Sequence, residues 1–324
     1  YNSPFLSNKI YIILMEKIRT SIEKNRDLRK ITLDLYMRNL RLLNGNKPFD
    51  NLDFLLKRGD IEKKLDELAN TTKRSYIATI IVALKTEEKK YKKEIEFYSE
   101  RLSVLNNEIN EFLKKNIKTP TQEKNMVSLK LLLKKQREYK KRVEDKGLFL
   151  KDDYNPSEKK LIKYYLIASL YTLQPPIRLD YSPMKIIRNI KDDDGKQNYL
   201  YIRSNLKKQF IFNNFKTSKS LGKQIVKIEP ALNKVINIWL RVNTTDNFLT
   251  NKTGGELSSN SLGKMISKVF DIKDKHITLN TIRHIYISDK IDIDRIKREN
   301  EEKEKLANSM LHSAGMQKHY AKHD

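Results

Sequence analysis

The stretch "NYLYIRSNLKKQFIFNNFKTSKSLGKQIVKI" (198–228) decides the fold class, because strand-forming sequence is concentrated in it. Three runs, at 198–204, 209–215 and 222–228, are rich in aromatic and β-branched residues, which favour strands. The turn-forming sequence "KDDDGKQ" precedes the first run, and "FKTSKSLG" (215–222) separates the second from the third. We therefore expect three short strands in a small antiparallel sheet.

Helical patterns flank this stretch on both sides. The segments "ITLDLYMRNLRLLN" (31–44) and "NTTKRSYIATIIVALKT" (70–86) carry apolar residues at helical spacing. The most apolar helical segment is "SEKKLIKYYLIASLYTL" (157–173), which we expect to lie in a core. Helical patterns resume at "EPALNKVINIWLRV" (229–242) and continue to the end. The sequence therefore predicts an α+β protein, mainly α-helical, with a small antiparallel β-sheet.

Composition and pattern divide the chain into four expected segments. Residues 1–26 form an N-terminal helix, and residues 27–88 form a compact helical domain. Residues 89–148 contain two long, highly charged helical patterns, which we interpret as an insertion or linker. The turn-rich sequence "KGLFLKDDYNPSEKK" then marks the boundary of a larger domain at 149–324.

The charge of the chain favours a polyanion as partner. Among 324 residues, 66 are Lys or Arg and 41 are Asp or Glu, which leaves a net charge of +25. Each phosphate that such a protein neutralises releases condensed counterions. The alternative is that many of the lysines only solvate helix faces.

The sequence contains no cysteine, which excludes disulfides, cysteine-ligated zinc fingers and a thiol nucleophile. A chain without cysteine agrees with a reducing, intracellular compartment. No run of about 18 apolar residues occurs, so we expect no membrane span.

Several residues in the larger domain suit phosphodiester chemistry. That reaction needs cations on the non-bridging oxygens, a proton donor for the leaving oxygen and a nucleophile. The candidates, in chain order, are Arg178 in "PPIRLDY", Lys216 in "NNFKTSK", Arg283 in "NTIRHIY", His312 in "MLHSAG" and Tyr320 in "QKHYAK". Secondary candidates are Lys219, Asn280 and His284. Each one alone also fits an ordinary role, as a turn cation, a solvent-facing side chain or a core aromatic.

In their order and context these motifs resemble the tyrosine recombinases, or phage integrases. They look most like the branch found in giant viruses, virophages and related mobile elements. The family has an arginine after the first catalytic-domain helix, a hairpin lysine, a His-x-x-Arg box, a Gly-His box and a later tyrosine. Here Asn280 stands at the box histidine and Leu311 at the glycine, while Tyr181 stands where an acidic residue is usual. The spacing from His312 to Tyr320 is one residue shorter than the commonest spacing.

The resemblance implies a fold, a reaction and a partner. Residues 27–88 would be the family's helical core-binding (SAM-like) domain, and 149–324 its catalytic domain. Tyr320 would attack the scissile phosphate and form a 3′-phosphotyrosyl bond, while Arg178 and Arg283 clamp the phosphate oxygens. Lys216 would protonate the departing 5′ oxygen, and His312 would assist the phosphate or the phenolic proton.

The resemblance further implies that no metal, ATP or other cofactor takes part. The partner would be double-stranded DNA, on which the chain would assemble as a tetramer. If the chain is viral, its compartment would be the host cytoplasm or nucleus.

Two further sets of residues have alternative interpretations. Lys73 and Arg74 lie near the start of an expected helix, where a basic residue is unfavourable against the helix dipole, so we predict that they contact DNA phosphate. Tolerated surface charge is the alternative. His319 and His323 are four residues apart, a spacing that can hold zinc, but solvated tail histidines are the favoured interpretation and we expect no metal site.

Two alternative functions stay open. The chain could be a non-catalytic DNA-binding or architectural relative, since Asn280 does not carry a proton as a histidine does. It could also relax DNA as a monomer, in the manner of a type IB topoisomerase.

Overall fold

The computed structural model describes residues 4–204, 207–316 and 320. The chain divides into two compact units, Tyr1–Ile117 and Lys118–Asp324. Each unit has its own hydrophobic core.

The first unit is helical. Its helices are α1 (Pro4–Asn25), α2 (Lys30–Leu43), α3 (Arg58–Asp66), α4 (Asn70–Leu84) and α5 (Lys92–Lys114), with short 3-10 turns at Asp53–Leu56 and Lys85–Glu87. Helix α4 packs mainly against α5, and it is buried along Ile77, Ile80 and Leu84 because these residues recur at helical spacing. Inside this core the Asn39 amide donates a hydrogen bond to the Thr79 hydroxyl at 3.0 Å, which satisfies two buried polar groups.

The second unit contains the sheet and the remaining helices. Its elements are α6 (Pro120–Asn125), α7 (Leu129–Asp145), α8 (Pro156–Leu170), β1 (Lys185–Ile187), β2 (Tyr199–Ile202), β3 (Lys208–Phe212), α9 (Ser218–Leu221), β4 (Gln224–Lys227), α10 (Pro230–Val242), α11 (Ser259–Val269), α12 (Leu279–Lys290) and α13 (Ile293–Ser309). Helix α8 begins where the Asn155 side chain and Glu158 form a capping box around Pro156, whose missing N–H costs nothing at that position. As expected from its composition, α8 is central to the core, where it packs against α7, α10 and α11.

The sheet has the strand order β1-β2-β3-β4. The three strands expected from the sequence are confirmed as β2, β3 and β4, which pair antiparallel with Leu200 opposite Phe210 and Phe210 opposite Val226. The sheet nevertheless differs from a purely antiparallel one, because β1 adds a fourth strand parallel to β2. This strand is only three residues long, so its own sequence carries too little alternation to indicate it.

Both faces of the sheet carry buried side chains. Phe210 and Phe212 face the main core, where the Phe210 ring lies 5.0 Å from Tyr181 and 5.7 Å from Phe248, measured between ring centroids. Ile211, between them in β3, packs instead with Tyr199 on the opposite face. The alternation follows from the two-residue period of a strand.

The two highly charged helical patterns contribute to different cores. Helix α5 buries Tyr98, Leu105 and other residues in the first unit, whereas α7 buries Leu132 and Val143 in the second. The expected division into four domains, with limits at 26, 88 and 148, stays a prediction. None of the helices within the described residues is both long and apolar enough to cross a lipid bilayer.

Candidate active site

Asn198, just before β2, holds two loops of the second unit together. Its side chain is buried, and all of its hydrogen-bonding groups are used. The amide nitrogen donates to the carbonyl oxygens of Asp180 at 3.1 Å and Asn214 at 2.9 Å. The amide oxygen accepts from the backbone N–H groups of Asn213 at 3.1 Å and Asn214 at 2.9 Å. The side chain thereby fixes the loop after α8 against the turn after β3.

These two loops carry two of the candidate residues. Arg178 lies two residues before Asp180, and Lys216 lies two residues after Asn214. The bonds of Asn198 therefore set the backbone positions from which the arginine and the lysine project. Sequence reasoning missed Asn198, because its partners are backbone groups 15 to 18 residues away and no local pattern indicates them.

The backbone at Arg178 is held by the aromatic core. The Tyr171 hydroxyl donates to the Arg178 carbonyl oxygen at 3.3 Å, and burial raises the pKa of Tyr171 well above its ordinary value, so the hydroxyl keeps its proton. Tyr181, at the position where the resemblance has an acidic residue, is fully buried, with its ring 5.7 Å from that of Tyr171. The half-buried Arg178 guanidinium has no hydrogen bond or ion pair with any described residue, so its donors are open to an anion.

Lys216 lies in the exposed turn between β3 and α9. The turn is tied down beside it, because the Asn213 amide donates to Asp193 at 2.7 Å and Lys223 forms an ion pair with the same carboxylate. Within the described part of the chain, the Lys216 ammonium makes no hydrogen bond or ion pair, whereas exposed Lys219 on α9 has interactions of its own.

Helix α12 presents Arg283 and its neighbours. Thr278 caps the helix in a capping box with Thr281, and Ile282 faces the core, which leaves Arg283 half-buried. The Arg283 guanidinium is unpaired among the described residues.

The secondary candidates on α12 are both exposed. Asn280 lies in the first turn of the helix, where its amide is accessible. The His284 ring nitrogen Nε2 lies 3.3 Å from the Gln122 amide nitrogen, a contact that holds His284 toward α6.

The rings of His312 and Tyr320 lie against each other. Their centroids are 5.6 Å apart and their planes are inclined by 22°, an offset-stacked arrangement. His312 Nδ1 lies 3.1 Å from the Ser313 carbonyl oxygen, which can only accept, so Nδ1 is the protonated nitrogen in this contact. Nε2 is buried and has no partner among the described residues, while the Tyr320 side chain is 65% exposed. A neutral His312 thus has an unused acceptor beside an accessible phenol.

Leu311 has a backbone conformation that favours glycine. Its φ is 55°, in the left-handed region, and the residue is 95% exposed, so no burial compensates for the strain. The resemblance places a glycine at this position, and a glycine would adopt this backbone angle without strain. His312 follows with its N–H donating to the Ala307 carbonyl oxygen at 3.1 Å, at the end of α13.

The structure brings some candidates into contact and not others. His312 and Tyr320 are in ring contact, and Asn198 joins the loops of Arg178 and Lys216. Between the side chains of the five main candidates, no hydrogen bond or ion pair occurs in the described part of the chain.

In the first unit, the two predicted DNA contacts differ in their surroundings. The Lys73 ammonium forms an ion pair with Asp66 at 2.9 Å, and this hydrogen bond is the main reason that the pKa of Asp66 is lowered. Arg74 is exposed and has no ion pair with any described residue. Lys73 is therefore already paired, whereas Arg74 is available; contact of either with DNA stays a prediction.

The described residues contain no group of three His, Asp or Glu side chains that could hold a metal ion. His319 and His323, the two residues of the alternative zinc site, lie outside the described residues.

No protein-family model and no curated protein matches the sequence. A crystal structure of XerA recombinase aligns with 84% of this chain and 82% of its own, at 13% identity and a TM-score of 0.31. A similarity at this level does not show a shared fold.

Proposed function

We propose that this chain cuts and rejoins DNA through a covalent bond to Tyr320, as a tyrosine recombinase does. The observation that supports the proposal most directly is the contact between the exposed Tyr320 phenol and the His312 ring, whose Nε2 lacks a partner among the described residues. A phenol needs a nearby proton acceptor to act as a nucleophile at neutral pH, and a neutral imidazole serves that role.

Each step has a residue of this chain to perform it. The Tyr320 oxygen forms a bond to the scissile phosphorus as the bond from phosphorus to the 5′ oxygen breaks, and His312 takes the phenolic proton. Arg178 and Arg283, unpaired within the described residues, stabilise the charge on the non-bridging oxygens. Lys216 gives a proton to the departing 5′ oxygen. Attack by a 5′ hydroxyl reverses these steps and reseals the strand.

Double-stranded DNA is the proposed partner. The net charge of +25 supports it, since neutralised phosphates release counterions. The helical first unit would contribute Arg74, and self-association to a tetramer on DNA belongs to the same proposal.

The test is a trapping experiment in EDTA. A duplex with a bridging 5′-phosphorothiolate, drawn from a library of flanking genomic sequences, traps a covalent intermediate because the thiol leaving group rejoins poorly. We expect a denaturation-resistant protein–DNA adduct that Tyr320→Phe abolishes. Tyr201→Phe, at a half-buried tyrosine of β2, is the matched control and should keep the adduct. An adduct that survives Tyr320→Phe would refute the assignment of the nucleophile.

A non-catalytic DNA-binding protein is the second candidate, and Asn280 favours it. This exposed amide on α12 can bind a phosphate oxygen but cannot exchange a proton with it. The same experiment separates the two functions, because tight, salt-sensitive binding across the library without any adduct would support the second.

A further inference from the structure

A cavity of about 920 Å³ lies within the second unit, away from the candidate residues described above. Residues of helices α8, α10 and α11 and of the loop at 243–257 line it. Its apolar lining includes Tyr164 and Met265, which are partly exposed, and Trp239 and Leu257, which are buried. The cavity therefore offers a partly apolar surface with one partly exposed aromatic ring, that of Tyr164, and apolar lining of this kind is common in small-molecule sites.

The rim of the cavity is positively charged. The lysines that line it are Lys159, Lys160, Lys163, Lys252, Lys264 and Lys268. No aspartate or glutamate is among the described residues that line it, and none of these six lysines forms an ion pair with a described carboxylate. On α11, Lys264 and Lys268 are four residues apart, a like-charge pair that destabilises a helix slightly. The positive charge of these lysines is thus not neutralised by any described carboxylate.

Lys163 is the most enclosed of these cations. Its ammonium donates to the Thr250 carbonyl oxygen at 2.8 Å and lies 5.4 Å from the centroid of the Trp239 ring. Burial lowers the pKa of Lys163, since a desolvated ammonium lacks a counter-charge here. An anion in the cavity would supply that charge and bond to the remaining N–H donors.

We propose that this cavity binds a phosphorylated aromatic compound of nucleotide size, with its ring on the apolar lining at Tyr164 and Met265 and its phosphates among the lysines. The volume is within the ordinary range for small-molecule sites. The ligand has two potential sources with the same chemistry, a free nucleotide and an unpaired nucleotide at the end of a DNA strand. The proposal does not depend on the DNA cleavage reaction.

The chain carries its own reporter, because Trp239 is its single tryptophan. Fluorescence of the full chain is titrated with ADP, adenosine, inorganic pyrophosphate and a short single-stranded oligonucleotide, with calorimetry as a second readout. We expect ADP to give a saturable change, and adenosine and pyrophosphate to bind at least about tenfold more weakly, since each lacks one half of the recognised chemistry. An oligonucleotide that binds more tightly than ADP, and loses that affinity in Lys264→Gln with Lys268→Gln but not in Lys130→Gln with Lys134→Gln, identifies a strand end as the source, whereas tighter ADP binding identifies the free nucleotide.

Two pairs of substitutions test the location. Lys264→Gln with Lys268→Gln should weaken ADP binding by about tenfold or more, because two charge-assisted contacts are lost. The matched control is Lys130→Gln with Lys134→Gln, at two exposed lysines with the same spacing on α7, outside the cavity; it should leave ADP affinity unchanged. All four positions are exposed, so both variants should fold. Equal loss in the two variants, pyrophosphate binding as tight as ADP, or no saturable response to either nucleotide probe would overturn the proposal.

Discussion

Asn198→Ala is the most informative substitution in the second unit, because one buried side chain makes four hydrogen bonds to two loops. Truncation removes both halves of the amide and leaves two carbonyl oxygens and two N–H groups without their partner. Asn198→Asp is a useful companion: its carboxylate still accepts from the backbone N–H groups of Asn213 and Asn214 but cannot donate to the carbonyl oxygens of Asp180 and Asn214.

The expected cost follows from the number of bonds. A protein hydrogen bond contributes about 1 kcal/mol net, and water that enters the space replaces part of the loss. We therefore expect Asn198→Ala to lower the free energy of unfolding by about 2–4 kcal/mol, and Tm by about 5–10 °C. If the proposed reaction is correct, the rate of adduct formation should also fall by about 10- to 100-fold, since small displacements of catalytic groups are costly.

The assay compares stability and reaction rate in the same proteins. Thermal unfolding gives the first quantity, and trapping on the phosphorothiolate duplex at a temperature well below Tm gives the second. Asn243→Ala is the matched control, because its amide bonds the Asn247 carbonyl oxygen at 2.7 Å, at neither candidate loop. Unchanged stability in Asn198→Ala would refute the argument from burial. An adduct rate equal to that of Asn243→Ala would refute the positioning role while leaving the stability argument intact.

Three further predictions concern other parts of the chain. Leu311→Gly should raise the free energy of unfolding by about 0.5–1 kcal/mol, because glycine adopts the left-handed backbone without strain. The control is Leu113→Gly, at a side chain 61% exposed within α5, which should lower the free energy of unfolding by about 1 kcal/mol. Thermal unfolding measures both variants. Tyr98→Phe should be neutral or stabilising by about 1 kcal/mol in denaturant unfolding, since the buried Tyr98 hydroxyl has no partner among the described residues. Burial raises the pKa of Tyr98 from 10 to about 12, so above pH 10 the unfolded state loses the phenolic proton more readily than the folded state does. The free energy of unfolding of the parent should therefore fall as the pH rises from 10 to 12, and that of Tyr98→Phe should fall less across the same interval. Finally, DNA affinity measured by fluorescence anisotropy should fall steeply between about 50 and 200 mM salt, and a flat response would contradict counterion release as the driving force.

Local sequence was sufficient for most of the secondary structure. The apolar spacing of α4 and α8 and the aromatic, β-branched runs of β2, β3 and β4 each reflect a period that a single element imposes on its own residues. Strand β1 was not predicted because its three residues, "KII", are too few to show a period; its backbone pairs with β2 and also with the segment around Asn247, both distant in sequence. The candidate residues Arg178, Lys216, Arg283, His312 and Tyr320 were chosen from short sequence contexts, and their roles stay predictions.

The sequence by itself determined the α+β class, the large positive charge and the types of residue available for phosphodiester chemistry. Only the tertiary structure decided which of these residues meet. It placed the His312 ring against Tyr320, tied the Arg178 loop to the Lys216 turn through Asn198, and grouped lysines from α8 and α11 around one cavity. The physical reason is that such contacts join residues distant in sequence, and their geometry depends on how whole helices and strands pack, which no local pattern encodes.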